Sequence, residues 1–139
     1  AMANAGKNAT GYVLLGVADT FDDAEKIREI YGQEAIRVGD FYVTGVNGEV
    51  EKYYESYDAY ILTIRNALKD MPLQDHYRRQ IGAKMRHVNY HGKSVIILRI
   101  TCNNGPAVFD GAYYTRSGPS NDPAPVKAEE MPAFFAQFA

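Results

Sequence analysis

Cysteine is nearly absent: Cys102 is the one thiol in 139 residues, so no internal disulfide can form. It ends an apolar stretch, residues 96–102, and reads as a reduced, inert thiol packed at a strand end rather than as a nucleophile. No apolar run reaches the ~18 residues that a membrane-spanning helix needs, and no basic-plus-apolar leader of the secretory kind opens the chain. A cytoplasmic protein with no membrane partner is expected. Gly-x-Ser-x-Gly is missing, which leaves a serine-hydrolase triad without support. Internal repeats and low-complexity tracts are missing too. Gly6 and Gly11 stand at the spacing of a Walker phosphate loop, yet Tyr12 and Val13 occupy the places of its lysine and hydroxyl. The β-like run 12–17 also follows those glycines instead of preceding them. This is a loop leading into a buried strand, not an ATP site.

What is present suffices for one domain. With 46% hydrophobic residues, a chain of this length buries an ample core. The net charge of −2 conceals segregation. Residues 19–70 carry six basic and twelve acidic side chains, a balance of −6, whereas residues 71–116 carry seven basic and two acidic, a balance of +5. His76, His87 and His91 fall in the same basic segment. Phosphate responds to the field within a Debye length of about 8 Å, so a mildly anionic total leaves room for a polyanionic partner.

Residues 1–5 read as the end of a helix running into a loop over 6–10, and a helix cut so short implies an excised module of a larger protein. A buried strand spans 12–17. Asp19, Thr20, Asp22 and Asp23 supply capping side chains for a short helix over 24–31 closed by Gly32. Phe41-Tyr42-Val43 alternates as a short strand. Val50, Tyr53, Tyr54, Tyr57, Tyr60, Ile61, Ile64 and Leu68 recur at helical spacing and predict one helix over 50–69, ended by Pro72, its stripe packed on a sheet. From Gln80 the pattern changes to strands over 81–90 and 94–101, joined by the turn His91-Gly92, with 95–100 apolar enough for a central strand. A second hairpin pairs 107–109 with 112–116 across Asp110-Gly111. Residues 118–123 form a loop. A closing helix over 127–138 turns Met131, Phe134, Phe135 and Phe138 inward, and Pro132 blurs its start. The expected class is α+β, a mixed and mostly antiparallel sheet flanked by helices.

The order Ala3-Asn4-Ala5, Thr10-Gly11, Leu15-Gly16-Val17-Ala18-Asp19 resembles the signature Ala-Asn-x-Gly-Gly-x-(apolar)-Gly-Val-x-Asp of the Schlafen-like, AlbA-type DNA-binding domain family. Tyr113-Tyr114-Thr115-Arg116-Ser117-Gly118 is similar to that family's Tyr-x-Arg-x-Gly-Ser, and the hairpin around His91-Gly92 stands where the family places its central one. The resemblance spans nearly the whole chain. It implies a Schlafen/AlbA-like domain over residues 1–139, DNA or RNA as partner, and a larger parent whose N-terminal strand, bearing Glu-x-x-x-x-Glu-Phe-Lys, precedes this chain. The family's paired glycine is stretched here into Gly6 to Gly11. In Schlafen-type ribonucleases two glutamates of the upstream segment and an aspartate after Gly-Val hold a metal; only Asp19 has a counterpart here.

Metal-assisted phosphodiester cleavage needs several carboxylates around Mg²⁺ or Mn²⁺. Asp19 alone cannot supply them, and a turn residue accepting backbone N–H bonds is its simpler role. No catalytic residue, metal or cofactor is therefore expected in this chain by itself; the alternative is a metal-dependent nuclease in which Asp19 completes a carboxylate site supplied from outside. His87 and His91 have the spacing of zinc ligands on a helix, but four residues along a strand separate them by about 13 Å. The basic segment remains. Arg78, Arg79, Lys84, Arg86, Lys93 and Arg116 are the expected phosphate contacts, with Lys84 and Arg86 on one face of the 81–90 strand. Tyr77, Tyr90, Tyr113 and Tyr114 add stacking where exposed. A solvated edge strand whose charges block pairing accounts for the same residues. A third reading makes the tyrosine helix or a sheet edge a protein-contact surface, with a homodimer as its outcome.

Overall fold

Local turn and capping chemistry sets several element ends of this α+β chain, for which the computed structural model describes residues 1–116 and 122–139. The contacts group them into two units. The first comprises Ala1–Tyr12, Leu68–Lys84 and Arg99–Ala139, and the second comprises Val13–Ala67 and Met85–Leu98. Among the described residues the strands form three small antiparallel sheets, and no helix is long and apolar enough to cross a membrane.

β1 (Thr10–Leu15), whose Tyr12, Val13 and Leu14 are exposed where a buried strand was expected, gives way to β2 (Val17–Ala18) of the second unit at Gly16. The Gly16 carbonyl accepts the N–H groups of both Thr44 and Gly45 at 2.9 Å. Its φ of +99° and the backbone of Gly45, 3.0 Å from where a Cβ would stand, leave no alternative to glycine. Next, α1 (Phe21–Tyr31) starts three residues before the expected position because Thr20 is its cap, accepting the Asp23 N–H at 3.2 Å. Gly32 ends it by donating to the Arg28 carbonyl. β3 (Ile36–Val38) and β4 (Phe41–Val43) pair as a hairpin, with β2 on the other side of β4.

The tyrosine stripe does not lie on one helix. It is divided between α2 (Asn47–Tyr53) and α3 (Tyr57–Asp70), because Tyr54 is extended and the Ser56 hydroxyl accepts the Ala59 N–H at 3.1 Å to cap a new helix. Helical spacing is kept across the break, so periodicity alone cannot reveal it. Most of the stripe is nevertheless core, with Tyr53 the exception at 62% exposed: Tyr60, Val46 and Val50 surround the fully buried Ile96, with Tyr57, Ile61 and Ile64 packed alongside. Burial, and secondarily the Glu49 carboxylate, push the Tyr60 phenol up to about 12.

In the first unit the expected strand over 81–90 is corrected for its first half. Asp75–Lys84 is a helix, α4, whose Tyr77 and Ile81, one turn apart, are buried. Amide side chains take the place of strand neighbours throughout this unit. Gln80 accepts the Thr101 N–H and donates to the Thr101 carbonyl at 3.0 Å, and Gln74 accepts the Val108 N–H at 2.7 Å while donating to the Pro106 carbonyl at 3.1 Å. Asn4, in the 3-10 turn Met2–Ala5 and 1% exposed, accepts the Ala107 N–H at 2.7 Å and donates to the Ala107 and Tyr114 carbonyls at 2.9 Å. It thereby pins the hairpin of β7 (Val108–Phe109) and β8 (Ala112–Arg116), whose Asp110-Gly111 turn has both φ angles positive, as expected. An unforeseen strand, β9 (Pro123–Pro125), lines the other edge of β8, where prolines are tolerated. The loop expected over 118–123 lies largely outside the described residues. The closing helix is shorter than expected: a 3-10 turn Ala128–Glu130 leads into α5 (Met131–Ala136), with Pro132 in its first turn. Phe134 is buried and Phe138 joins the core of Ala3, Tyr77, Cys102 and Ala107, whereas Phe135 points out, 43% exposed. Cys102 is buried as expected, its thiol 3.1 Å from the Gly105 carbonyl oxygen, which also accepts the Tyr77 hydroxyl.

Candidate nucleic-acid interface

The second unit holds a hairpin built by alternation. β5 (Arg86–Tyr90) pairs with β6 (Lys93–Thr101) across His91 and Gly92, whose φ angles of 47° and 85° suit a two-residue turn. The register sets Arg86 opposite Ile97, Val88 opposite Val95 and Tyr90 opposite Lys93, so these six residues share one face. His87, paired with Ile96, belongs to the other face and is committed there: its ring stacks on Tyr57 of α3 at 4.9 Å. Arg86 is exposed, and Val88 and Tyr90 are 40% and 37% exposed. Neither Arg86 nor Lys93 has an ion-pair partner among the described residues. Their segment is itself without carboxylates, no aspartate or glutamate occurring from residue 76 to residue 109.

Two asparagines hold the turn. Asn89 accepts the Gly92 N–H at 3.0 Å, while Asn47, at the start of α2, donates to the Gly92 carbonyl at 3.1 Å and accepts the Ser94 N–H at 2.9 Å. The tip carrying Tyr90, His91 and Lys93 is thus tied to a helix, and the Tyr90 and His91 rings meet edge to face at 4.6 Å. Asn89-x-x-Gly92 is a local turn signal readable in the sequence, whereas the Asn47 clamp has none, because its partners lie 45 and 47 residues away.

The other sequence-predicted cations belong to the first unit. On α4, Asp75 engages Arg79 at 2.9 Å and Arg78 at 3.4 Å. Arg78 also donates to the Lys69 carbonyl at 2.7 Å, serving the last turn of α3 as a cap. Its Nε is buried without a partner among the described residues. Lys84 is exposed but is the last residue of α4, so it does not alternate with Arg86 on a strand as expected. Arg116 is exposed at the end of β8. Of the expected set, the hairpin of the second unit places Arg86 and Lys93 on one face, while in the first unit Asp75 engages Arg78 and Arg79 and the Lys69 carbonyl accepts from Arg78.

Asp19 follows β2 and is exposed, and no group of three or more His, Cys, Asp or Glu side chains among the described residues is placed to hold a metal ion. His91 sits at the turn, its ring against Tyr90, while His87 stacks on Tyr57. No family model matches this chain, and no curated protein or solved structure does either.

Proposed function

We propose that this chain is a nucleic-acid-binding module that contacts the phosphate backbone of DNA or RNA through the β5–β6 hairpin. One observation carries the reading: Arg86 and Lys93 share a face with the half-exposed Tyr90, on a segment without carboxylates. The Arg86 guanidinium and the Lys93 ammonium neutralise phosphates without reading bases, and Tyr90 offers a ring on which a base stacks. The second unit as a whole has eleven acidic and seven basic residues, −4. Binding is then local and salt-sensitive, because the carboxylates act over the same screened range as the cations. The resemblance to Schlafen-like AlbA-type domains supports the same partner class.

The test is fluorescence anisotropy with labelled oligonucleotides across a salt series. Replacing Arg86 and Lys93 by alanine is expected to weaken binding and to flatten the slope of log K against log salt by about 1.8 on duplex DNA or about 1.4 on a single strand. A wild-type protein that shifts no oligonucleotide at low salt, or a double variant with an unchanged slope, overturns the assignment.

A further inference from the structure

On the second unit, α1, the β1–β2 bend and the start of α2 enclose a cleft of about 540 Å³, within the range of small-molecule sites. Its apolar wall comes from two sources. Val17 and Ala18 contribute from β2, and Ile27 and Ile30 contribute from one face of α1, where Ile30 is left 56% exposed. Its charged lining is mostly acidic: Asp19, Asp23 and Glu49 against the single Lys26. Lys26 is already engaged by Asp23 at 3.7 Å. Asp19 and Glu49 have no ion-pair partner among the described residues. Tyr31, also in the lining, has its phenol pKa raised, by burial first and by Glu49 next.

We propose that this cleft is a binding site for a small organic cation, an ammonium or guanidinium group carried on an apolar body. The apolar part lies against the half-buried Val17, Ala18 and Ile27 and covers Ile30, which is otherwise open to water. The cation meets Asp19 and Glu49, and the unbalanced negative lining rejects a carboxylate of the same shape. The floor is rigid, because the Gly16 carbonyl is fixed by Thr44 and Gly45, and a preformed floor lowers the ordering cost of a small ligand. The hairpin face argued above is not involved, so either site can stand without the other.

Three probes of one shape decide it: 2-phenylethylamine, 2-phenylethanol and phenylacetate, titrated into the full chain at pH 7 and followed by backbone amide NMR. Saturable shifts centred on Gly16, Ala18, Thr44 and Gly45 with the amine, and much weaker ones with the alcohol and the acid, are expected. Asp19→Asn with Glu49→Gln is expected to weaken the amine by about tenfold or more. Shifts spread along the acidic helices, equal binding of phenylacetate, or no saturation overturn the proposal, and these wild-type comparisons hold even if the double variant fails to fold.

Discussion

Replacing Asn4 tests whether amide clamps organise the first unit. Its side chain is 1% exposed and makes three hydrogen bonds, to the Ala107 N–H and to the Ala107 and Tyr114 carbonyls. At about 1 kcal/mol each, Asn4→Ala costs about 3 kcal/mol, which for a chain of this length is a fall in Tm of about 10 °C. Asn4→Asp is the sharper perturbation because the shape is kept. The introduced carboxylate still accepts from Ala107 N–H, but two donors become lone pairs facing carbonyl oxygens. Protonation restores one donor, so the folded-state pKa of the introduced carboxyl rises above the unfolded value of about 3.9. The sign follows: the deficit relative to wild type is smallest below pH ~3.9 and grows as pH rises through the folded pKa. Urea unfolding of both proteins at pH 4 and pH 7 measures it. A deficit that is the same at both pH values, or an Asn4→Ala protein melting within about 2 °C of wild type, refutes the reasoning.

Gly16→Ala is expected to destabilise by about 2 kcal/mol or more, since φ is +99° and the colliding atoms are backbone; calorimetry showing an unchanged Tm contradicts the bend described for β1 and β2. Arg79→Ala is expected to alter stability by less than about 0.5 kcal/mol, its pair with Asp75 being exposed, whereas Arg78→Ala removes the cap on the Lys69 carbonyl and costs about 1 kcal/mol. Chemical denaturation that ranks the two in the opposite order sinks that division of labour. Tyr60 has a folded pKa of about 12 against about 10 when unfolded, so its stabilising share is complete below pH 10 and is lost as pH rises toward 12. Tyr60→Phe should flatten the alkaline loss of stability between those values, and an identical pH profile would show that Tyr60 does not report the core.

The turns His91-Gly92 and Asp110-Gly111 and the Gly32 cap were legible because each is specified by adjacent residues. The reading failed where two structures share one local pattern. Tyr77 and Ile81 lie one turn apart on a helix, yet the same run merged with the alternation of β5. Tyr54 and Ser56 break a helix whose apolar spacing continues unbroken across them. At the candidate interface the sequence likewise left side-chain engagement open: helical spacing turned Arg78 and Arg79 toward Asp75, whereas strand pairing set Arg86 and Lys93 on one face of their hairpin.

By itself the sequence determined the α+β class, the hairpin turns, the buried thiol and a carboxylate-free basic segment, all properties of composition or of a few neighbouring φ and ψ angles. Tertiary structure alone decided that Asn4, Asn47, Gln74 and Gln80 would serve as strand partners, and which cations would be left without a carboxylate. Those outcomes depend on backbone groups as many as 110 residues away, and a hydrogen bond forms only where the folded chain brings both halves within about 3 Å, an ion pair within about 4 Å.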